Sequence, residues 1–140
     1  MTERRVKRYV LDTSALLTLI EGEDGAARVL EVLAGDVALV PCVALVEALY
    51  IAEQEQGRDA AAERFALIEA LPIVILWSFD ADVVRNAARV KAGHRVSLGD
   101  ALMAGFAMRY GATLLHKDPE FEQLADVLPL EALPYKTKTR

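Results

Sequence analysis

The sequence predicts an α/β fold in which a parallel sheet is covered by helices on both faces. Short apolar runs recur along the chain, and each is followed by a stretch with helical periodicity. Strands that alternate with helices form parallel sheets, and strands buried on both faces are apolar throughout. No repeat, low-complexity tract or long linker interrupts this order. We therefore expect residues 1–140 to form a single domain.

Five short apolar runs are the predicted strands, at 8–12, 37–41, 72–77, 112–116 and about 127–130. One helix is predicted to begin at Thr13, and others to span 23–35, 42 to about 56, 59–70, 80–92 and 97–110. Ser78 or Asp80 can cap the fifth of these helices and Ser97 the sixth, and Gly111 suits the position after the last turn.

Composition excludes several classes of protein. Hydrophobic residues make up 54% of the chain and charged residues 26%, which is typical of a globular domain and not of a disordered segment. Cys42 is the single cysteine, so no internal disulfide forms. The longest apolar run, Val37–Val46, is interrupted by Pro41 and is shorter than the roughly 20 residues that a bilayer span needs. Since no signal-peptide core follows the charged N-terminus, we expect a cytoplasmic protein without membrane contact.

The basic residues are concentrated at the two ends of the chain. Net charge is −5, but residues 9–135 hold 9 of the 16 basic residues and 20 of the 21 acidic ones, a net charge of −11. The pattern is not that of a nonspecific nucleic-acid binder with a basic surface. The chain either avoids nucleic acid, or cations neutralise an acidic site that meets it. The terminal basic residues are Arg4, Arg5, Lys7, Arg8, Lys136, Lys138 and Arg140.

Four acidic residues stand in unusual surroundings. Asp12 ends the first predicted strand and Asp118 follows the fourth, and sites in such sheets form at the carboxyl ends of strands. Glu47 lies on a strongly apolar helix, on one face with Val43 and Tyr50. An ionised carboxylate there is costly unless it is paired or metal-bound, but Glu47 could equally reach the surface at the edge of that face. Both interpretations stay open.

The other three acids, including Asp100, each have an ordinary explanation as a helix cap. Asp12 can cap the helix that follows it, and Asp118 followed by a proline is a common helix start. Asp100, three residues after Ser97, fits a capping box, and the pattern alone favours that role. Capping does not explain why two of the predicted strands are each followed closely by an acid. Clustered carboxylates repel one another, and divalent cations that prefer oxygen ligands, such as Mg²⁺ or Mn²⁺, relieve the repulsion.

The order and spacing of these acids resemble those of the PIN domain family, and most closely of its VapC-type toxin ribonucleases from type II toxin–antitoxin systems. The resemblance rests on YVLDTSALL around Asp12, VPCVALVEALYIA around Glu47, and VSLGDALMAGFAMRYGATLLHKDPEFEQL, which contains Asp100 and Asp118. It covers about residues 8–130. Each motif alone is weak, but four acids in this order are specific for the superfamily. The resemblance implies a Rossmann-like, three-layer α/β/α sandwich around a parallel sheet of about five strands.

The resemblance also implies a chemistry. Such proteins hydrolyse RNA phosphodiesters with Mg²⁺ or Mn²⁺ and metal-activated water, and they leave 5′-phosphate and 3′-hydroxyl ends. By position, Asp12, Glu47 and Asp100 would form the main metal-binding cluster, and Asp118 would be its fourth acid. Ser14 would hydrogen-bond within the site.

His116 is the one departure from the family pattern. Many members have Thr or Ser at this place, two residues before the last acid, so the hydroxyl contact is in doubt. We expect His116 to make a structural hydrogen bond at the strand end, and contact with a phosphate is the alternative. His94 is expected at the surface. Lys91 and Arg95 are weaker candidates for RNA contacts.

The resemblance implies partners as well. VapC-type proteins are usually homodimers that a small antitoxin neutralises, by laying an apolar helix in a groove and a basic residue in the acidic site. The apolar helices at 42–52 and 59–71 could build such a groove or simply pack in the core. The terminal basic residues could hold flanking phosphates of an RNA substrate.

Other functions fit the sequence less well. A HAD-type phosphatase needs a second Asp two residues after the first, where this chain has Ser14. A phosphoacceptor receiver domain needs an acidic pair after the first strand, which VLDTS lacks. A non-catalytic binding module of PIN fold commonly lacks one of the acids, and all four are present. A PIN nuclease that processes RNA or cleaves DNA shares these residues, but processing enzymes usually carry additional domains.

Overall fold

The computed structural model describes residues 5–136 and confirms the predicted α/β architecture. The strands of these residues are β1 (Arg8–Leu11), β2 (Val37–Pro41), β3 (Val74–Leu76), β4 (Thr113–His116) and β5 (Leu130–Ala132). They form one sheet in the order β3-β2-β1-β4-β5. Every neighbouring pair is parallel, as the alternation of strands and helices predicts.

Helices connect the strands along the same part of the chain. They are α1 (Thr13–Glu21), α2 (Ala26–Gly35), α3 (Cys42–Gln56), α4 (Arg58–Glu69), α5 (Ala81–Gly93) and α6 (Leu98–Tyr110), with a 3₁₀ helix at Pro119–Leu124. α2 begins three residues later than predicted because Gly25, at φ +102, forms its N-cap. None of the helices within 5–136 combines the length and the apolar character needed to cross a membrane.

Both faces of the sheet are covered. Val10 and Leu11 in β1 are fully buried, and so are Leu114 and Leu115 in β4. Because successive side chains of a strand point to opposite faces, burial of both members of each pair requires a layer on either side. This arrangement is the three-layer α/β/α sandwich, and it explains why the central strands are apolar without alternation.

Two strands differ from their predicted positions. β5 lies at 130–132 rather than 127–130, because turns continue the 3₁₀ helix as far as Leu128, whose N–H donates to the Leu124 carbonyl at 3.2 Å. Pairing with β4 starts only at Pro129, whose carbonyl accepts from the Leu114 N–H at 3.0 Å. β3 is shorter than 72–77 because the Ile73 N–H donates at 2.8 Å to the Leu71 carbonyl in a turn.

The face of α3 that carries the large apolar residues is not the buried one. Val46 is 64% exposed and Tyr50 48% exposed, whereas small residues and one leucine face the core. The buried residues of this helix are Ala44, Leu45, Ala48 and Ala52. Glu47 is half-buried between these two faces, so it lies at the edge of the buried surface and not within it.

Candidate active site

The predicted site residues meet at the carboxyl ends of β1 and β4. β1 lies between β2 and β4, so the chain order reverses at this point of the sheet. Leu11 pairs with Leu115, which brings the two strand ends side by side. Asp12 follows β1 directly, and Asp118 lies two residues beyond the end of β4. Crevices at such reversal points are where α/β sheets bind ligands.

Asp12 is both a helix cap and a buried acid. It is 4% exposed, and its Oδ1 accepts from the Ala15 N–H at 2.9 Å at the start of α1. Burial raises the pKa of Asp12 from 3.8 to about 7, and repulsion from Asp100 and Asp118 adds to that effect. The cap that the sequence predicts is therefore present, but it does not compensate the desolvated charge.

Ser14 joins the two strand ends through its hydroxyl. The hydroxyl donates to the carboxylate of Asp12, at 2.7 Å from Oδ1 and 2.9 Å from Oδ2. It also accepts the backbone N–H of Lys117 at 2.9 Å. Ser14 thus fixes the orientation of the buried carboxylate and the path of the chain after β4.

Glu47 and Asp100 reach the same crevice from two helices. Glu47, on α3, accepts a hydrogen bond from the Thr13 hydroxyl at 2.9 Å. Asp100 lies in the first turn of α6, and its N–H donates to the Ser97 hydroxyl at 3.1 Å, so Ser97 is the cap of this helix. Burial raises the pKa of Asp100 from 3.8 to about 6, and repulsion from Asp118 and Glu47 contributes. Asp100 therefore lies close enough to acids on two other segments for their charges to affect its pKa.

A fifth acid, Glu120, belongs to this group. Asp118 caps the 3₁₀ helix, with its Oδ1 accepting from the Glu120 N–H at 2.9 Å. One carboxylate oxygen from each of Asp100, Asp118 and Glu120 lies within 4.8 Å of the other two, and among the described residues this group does not include Asp12 or Glu47. Sequence reasoning missed Glu120, and the signal was the acid–proline–acid turn DPE at a strand end. We call Asp12, Glu47, Asp100, Asp118 and Glu120 the acidic cluster.

The acidic cluster suits a divalent cation. Its ligand atoms are all carboxylate oxygens, the donor type that Mg²⁺ and Mn²⁺ prefer. Within residues 5–136, no Lys or Arg forms an ion pair with any of the five carboxylates. Burial raises the pKa values of Asp12 and Asp100, and repulsion from neighbouring acids adds to that effect. The residues present therefore fit a bound metal ion.

Several weaker candidates for substrate contacts instead make hydrogen bonds or ion pairs with nearby residues of the protein. A ring nitrogen of His94 lies 3.0 Å from the Val90 carbonyl, and the Lys91 ammonium donates to the Val96 carbonyl at 2.8 Å. Lys136 forms an ion pair with Glu23 at 2.9 Å. Arg4, Lys138 and Arg140, which were expected to hold flanking phosphates, lie outside the described residues.

Comparison with known proteins links this geometry to one family. The family model described as PIN domain matches residues 9–127. We found no significant match among curated protein sequences.

Several solved structures of similar fold are described as toxins or toxin–antitoxin complexes. VapBC2 from Rickettsia felis, bound to a DNA fragment from its promoter, has a TM-score of 0.75 at 16% identity over 91% of this chain and 99% of that chain. VapBC-1 from nontypeable Haemophilus influenzae has a TM-score of 0.71 at 20% identity over 89% and 97%. VapC20 from Mycobacterium tuberculosis, described as a sarcin-ricin loop cleaving toxin, has a TM-score of 0.68 at 20% identity over 90% and 99%. At these identities the likeness is one of fold.

Proposed function

Because the chain belongs to the PIN domain family, we propose that it is a Mg²⁺- or Mn²⁺-dependent endoribonuclease of the VapC toxin type. The observation that carries this proposal is the acidic cluster, which gathers carboxylates from four segments of the chain without a basic partner among the described residues. The toxin class is supported by structural similarity to VapBC complexes and to a toxin described as cleaving the sarcin-ricin loop.

The protein's own residues hold the cluster in a fixed arrangement before substrate binds. Asp12 is oriented by Ser14, and Glu47 by Thr13. Asp118 is oriented by the turn of the 3₁₀ helix that it caps. A divalent cation held by these oxygens would lower the pKa of water and neutralise charge that develops on the phosphoryl group during hydrolysis, and it would also offset the negative field that repels RNA.

RNA cleavage with a defined end chemistry is the expected activity. We expect the purified protein to cleave tRNA or rRNA in Mn²⁺ or Mg²⁺, to stop in excess EDTA, and to leave 5′-phosphate and 3′-hydroxyl ends. Because water is the nucleophile, a single 2′-deoxy substitution at the cleaved nucleotide should change the rate by less than about tenfold. End mapping and synthetic oligonucleotides measure both properties. Cyclic 2′,3′-phosphate ends, or cleavage that persists in EDTA, would contradict a metal-dependent hydrolysis.

Glu120→Gln is expected to raise the Mn²⁺ concentration that gives half-maximal cleavage by about tenfold, with the maximal rate largely retained. Glu120 is exposed and contributes to the cluster from its outer side, so it is expected to strengthen metal binding more than to orient substrate. Glu53→Gln, an exposed acid on α3 outside the cluster, is the matched control. Equal Mn²⁺ dependence in the two variants would remove Glu120 from the metal site.

A small antitoxin is the proposed protein partner. α3 and α4 form a groove with apolar and charged walls, in the two helical regions that the sequence analysis proposed for antitoxin binding. The groove is lined by Leu49, Glu53, Arg58, Ala61, Ala62, Phe65, Ala66 and Glu69. An apolar antitoxin helix fits this groove, and a basic antitoxin side chain would neutralise the acidic cluster. The expected partner is the product of a short reading frame next to this one, which copurifies with the protein and stops RNA cleavage.

A homodimer in the cytoplasm is the proposed state of the protein. The exposed apolar side chains Val46 and Tyr50 on α3 support self-association. The mass in solution measures this directly, and a monomeric mass would contradict it.

Two other PIN functions remain as outcomes of the cleavage assay: hydrolysis of DNA rather than RNA would indicate a DNA nuclease, and binding of RNA without hydrolysis would indicate a non-catalytic module.

A further inference from the structure

His116 is a buried polar residue whose ring contacts the acidic cluster at the backbone N–H of Asp118. It is the last residue of β4 and is 1% exposed. Its ring centroid lies 5.0 Å from that of Phe121 and 6.3 Å from that of Tyr135. Its carbonyl accepts from the Leu133 N–H at 2.7 Å, which ties it to β5. Packing and pairing therefore hold the imidazole in one orientation.

The imidazole has one hydrogen bond that bears on the site. Its Nδ1 accepts the backbone N–H of Asp118 at 3.1 Å. A ring nitrogen that accepts cannot carry a proton, so the ring proton of neutral His116 belongs on Nε2.

The chain between β4 and the 3₁₀ helix depends on side-chain acceptors. The N–H of Lys117 donates to the Ser14 hydroxyl at 2.9 Å, and the N–H of Asp118 donates to His116. Because these two N–H groups donate to side chains and not to a neighbouring strand, pairing within the sheet does not fix the direction in which Asp118 points. The Ser14 hydroxyl and the His116 ring nitrogen fix it instead.

We propose that His116 is a positioning residue, whose Nδ1 fixes the backbone of Asp118 so that the Asp118 carboxylate meets those of Asp100 and Glu120. This inference deepens the proposed function and depends on it only where RNA cleavage is measured. A short side chain with an oxygen acceptor can close the same turn, because Ser, Thr and Asn side chains accept from the N–H two residues on. His116 performs that task with a ring nitrogen.

Four variants test the role of the acceptor. His116→Asn and His116→Thr keep an acceptor near the position of Nδ1, whereas His116→Gln moves it out of reach and His116→Leu removes it. We expect the Gln and Leu variants to bind Mn²⁺ about tenfold more weakly and to cleave RNA with about tenfold lower kcat at unchanged KM. The Asn and Thr variants should stay within about threefold of the wild type, by the same scale of effect. Calorimetric titration of Mn²⁺ and steady-state kinetics on the full chain measure these values.

The results separate positioning from bulk packing. Loss of Mn²⁺ affinity in all four variants alike, or in none of them, would overturn the inference. A ¹⁵N spectrum of the wild-type histidine ring gives a second test that needs no variant to fold: Nδ1 must be unprotonated and coupled to the Asp118 amide, and a proton on Nδ1 overturns the assignment. If the wild type binds Mn²⁺ but cleaves no RNA, the proposed function fails, while the Mn²⁺ affinities and the ring spectrum still decide the role of His116.

Discussion

Asp12→Asn is expected to lower metal-dependent RNA cleavage by at least about 100-fold while the protein stays folded. The amide oxygen of Asn can still accept from the Ala15 N–H and the Ser14 hydroxyl, so the cap of α1 is retained. The charge that helps to hold the cation is lost. Initial cleavage rates in Mn²⁺, with circular dichroism and thermal unfolding of the same samples, measure both parts of the expectation.

Asp80→Asn is the matched control for this variant. Asp80 also caps a helix, α5, where its Oδ1 accepts from the Val83 N–H at 3.1 Å, and it lies outside the acidic cluster. The same chemical change at Asp80 weakens its ion pair with Arg109 (2.8 Å) but removes no carboxylate from the acidic cluster, so the cleavage rate should stay within about twofold of the wild type. Wild-type cleavage by a purified Asp12→Asn variant would show that the acidic cluster is not the active site.

The metal-free protein is expected to lose stability, relative to its Asp12→Asn variant, as the pH rises from about 4 to about 7. The pKa of Asp12 is raised from 3.8 to about 7 in the folded state. Between these values the folded protein binds more protons than the unfolded chain, so the free energy of unfolding falls with rising pH. At about 1.36 kcal/mol per pKa unit, the full difference is roughly 4 kcal/mol. Denaturant unfolding of both proteins at pH 5 and pH 8 in EDTA measures the part of this difference that falls above pH 5, about 3 kcal/mol.

The variant comparison isolates the contribution of Asp12 from those of the other titrating groups. Burial lowers the pKa of His116, which gives a contribution of opposite sign that is common to both proteins. Saturating Mn²⁺ should stabilise the wild type more at pH 8 than at pH 5, because protons compete with the metal for the carboxylates. A wild-type curve parallel to that of Asp12→Asn in EDTA would mean that Asp12 carries no uncompensated charge.

The sequence predicted the parts of the fold that depend on local pattern and burial. The buried strands β1, β2 and β4 are apolar throughout because both faces are covered, so their positions were predicted within a residue. The turn at Gly111, at φ +59, was predicted from its residue type. The acids at the ends of β1 and β4 could be placed together because the carboxyl ends of parallel strands lie at the same edge of a sheet.

The rest depended on tertiary contacts. β5 was displaced because the turns after the 3₁₀ helix could not be counted from the pattern. The outward face of α3 was not predicted, because small alanines, and not the larger Val46 and Tyr50, allow close packing on the core side. Glu120 was missed because its approach to Asp100 joins a short 3₁₀ turn to a separate helix.

Calorimetric titration of Mn²⁺ into the wild type, Asp12→Asn and Asp80→Asn, paired with the Mn²⁺ dependence of RNA cleavage, tests the central claim most directly. The wild type and Asp80→Asn are expected to bind Mn²⁺ with equal affinity and to cleave RNA over the same concentration range. Asp12→Asn is expected to bind at least about tenfold more weakly and to cleave at background rate. Equal Mn²⁺ affinity in all three proteins, or RNA cleavage that does not follow Mn²⁺ binding, would contradict a metal-dependent nuclease site at Asp12.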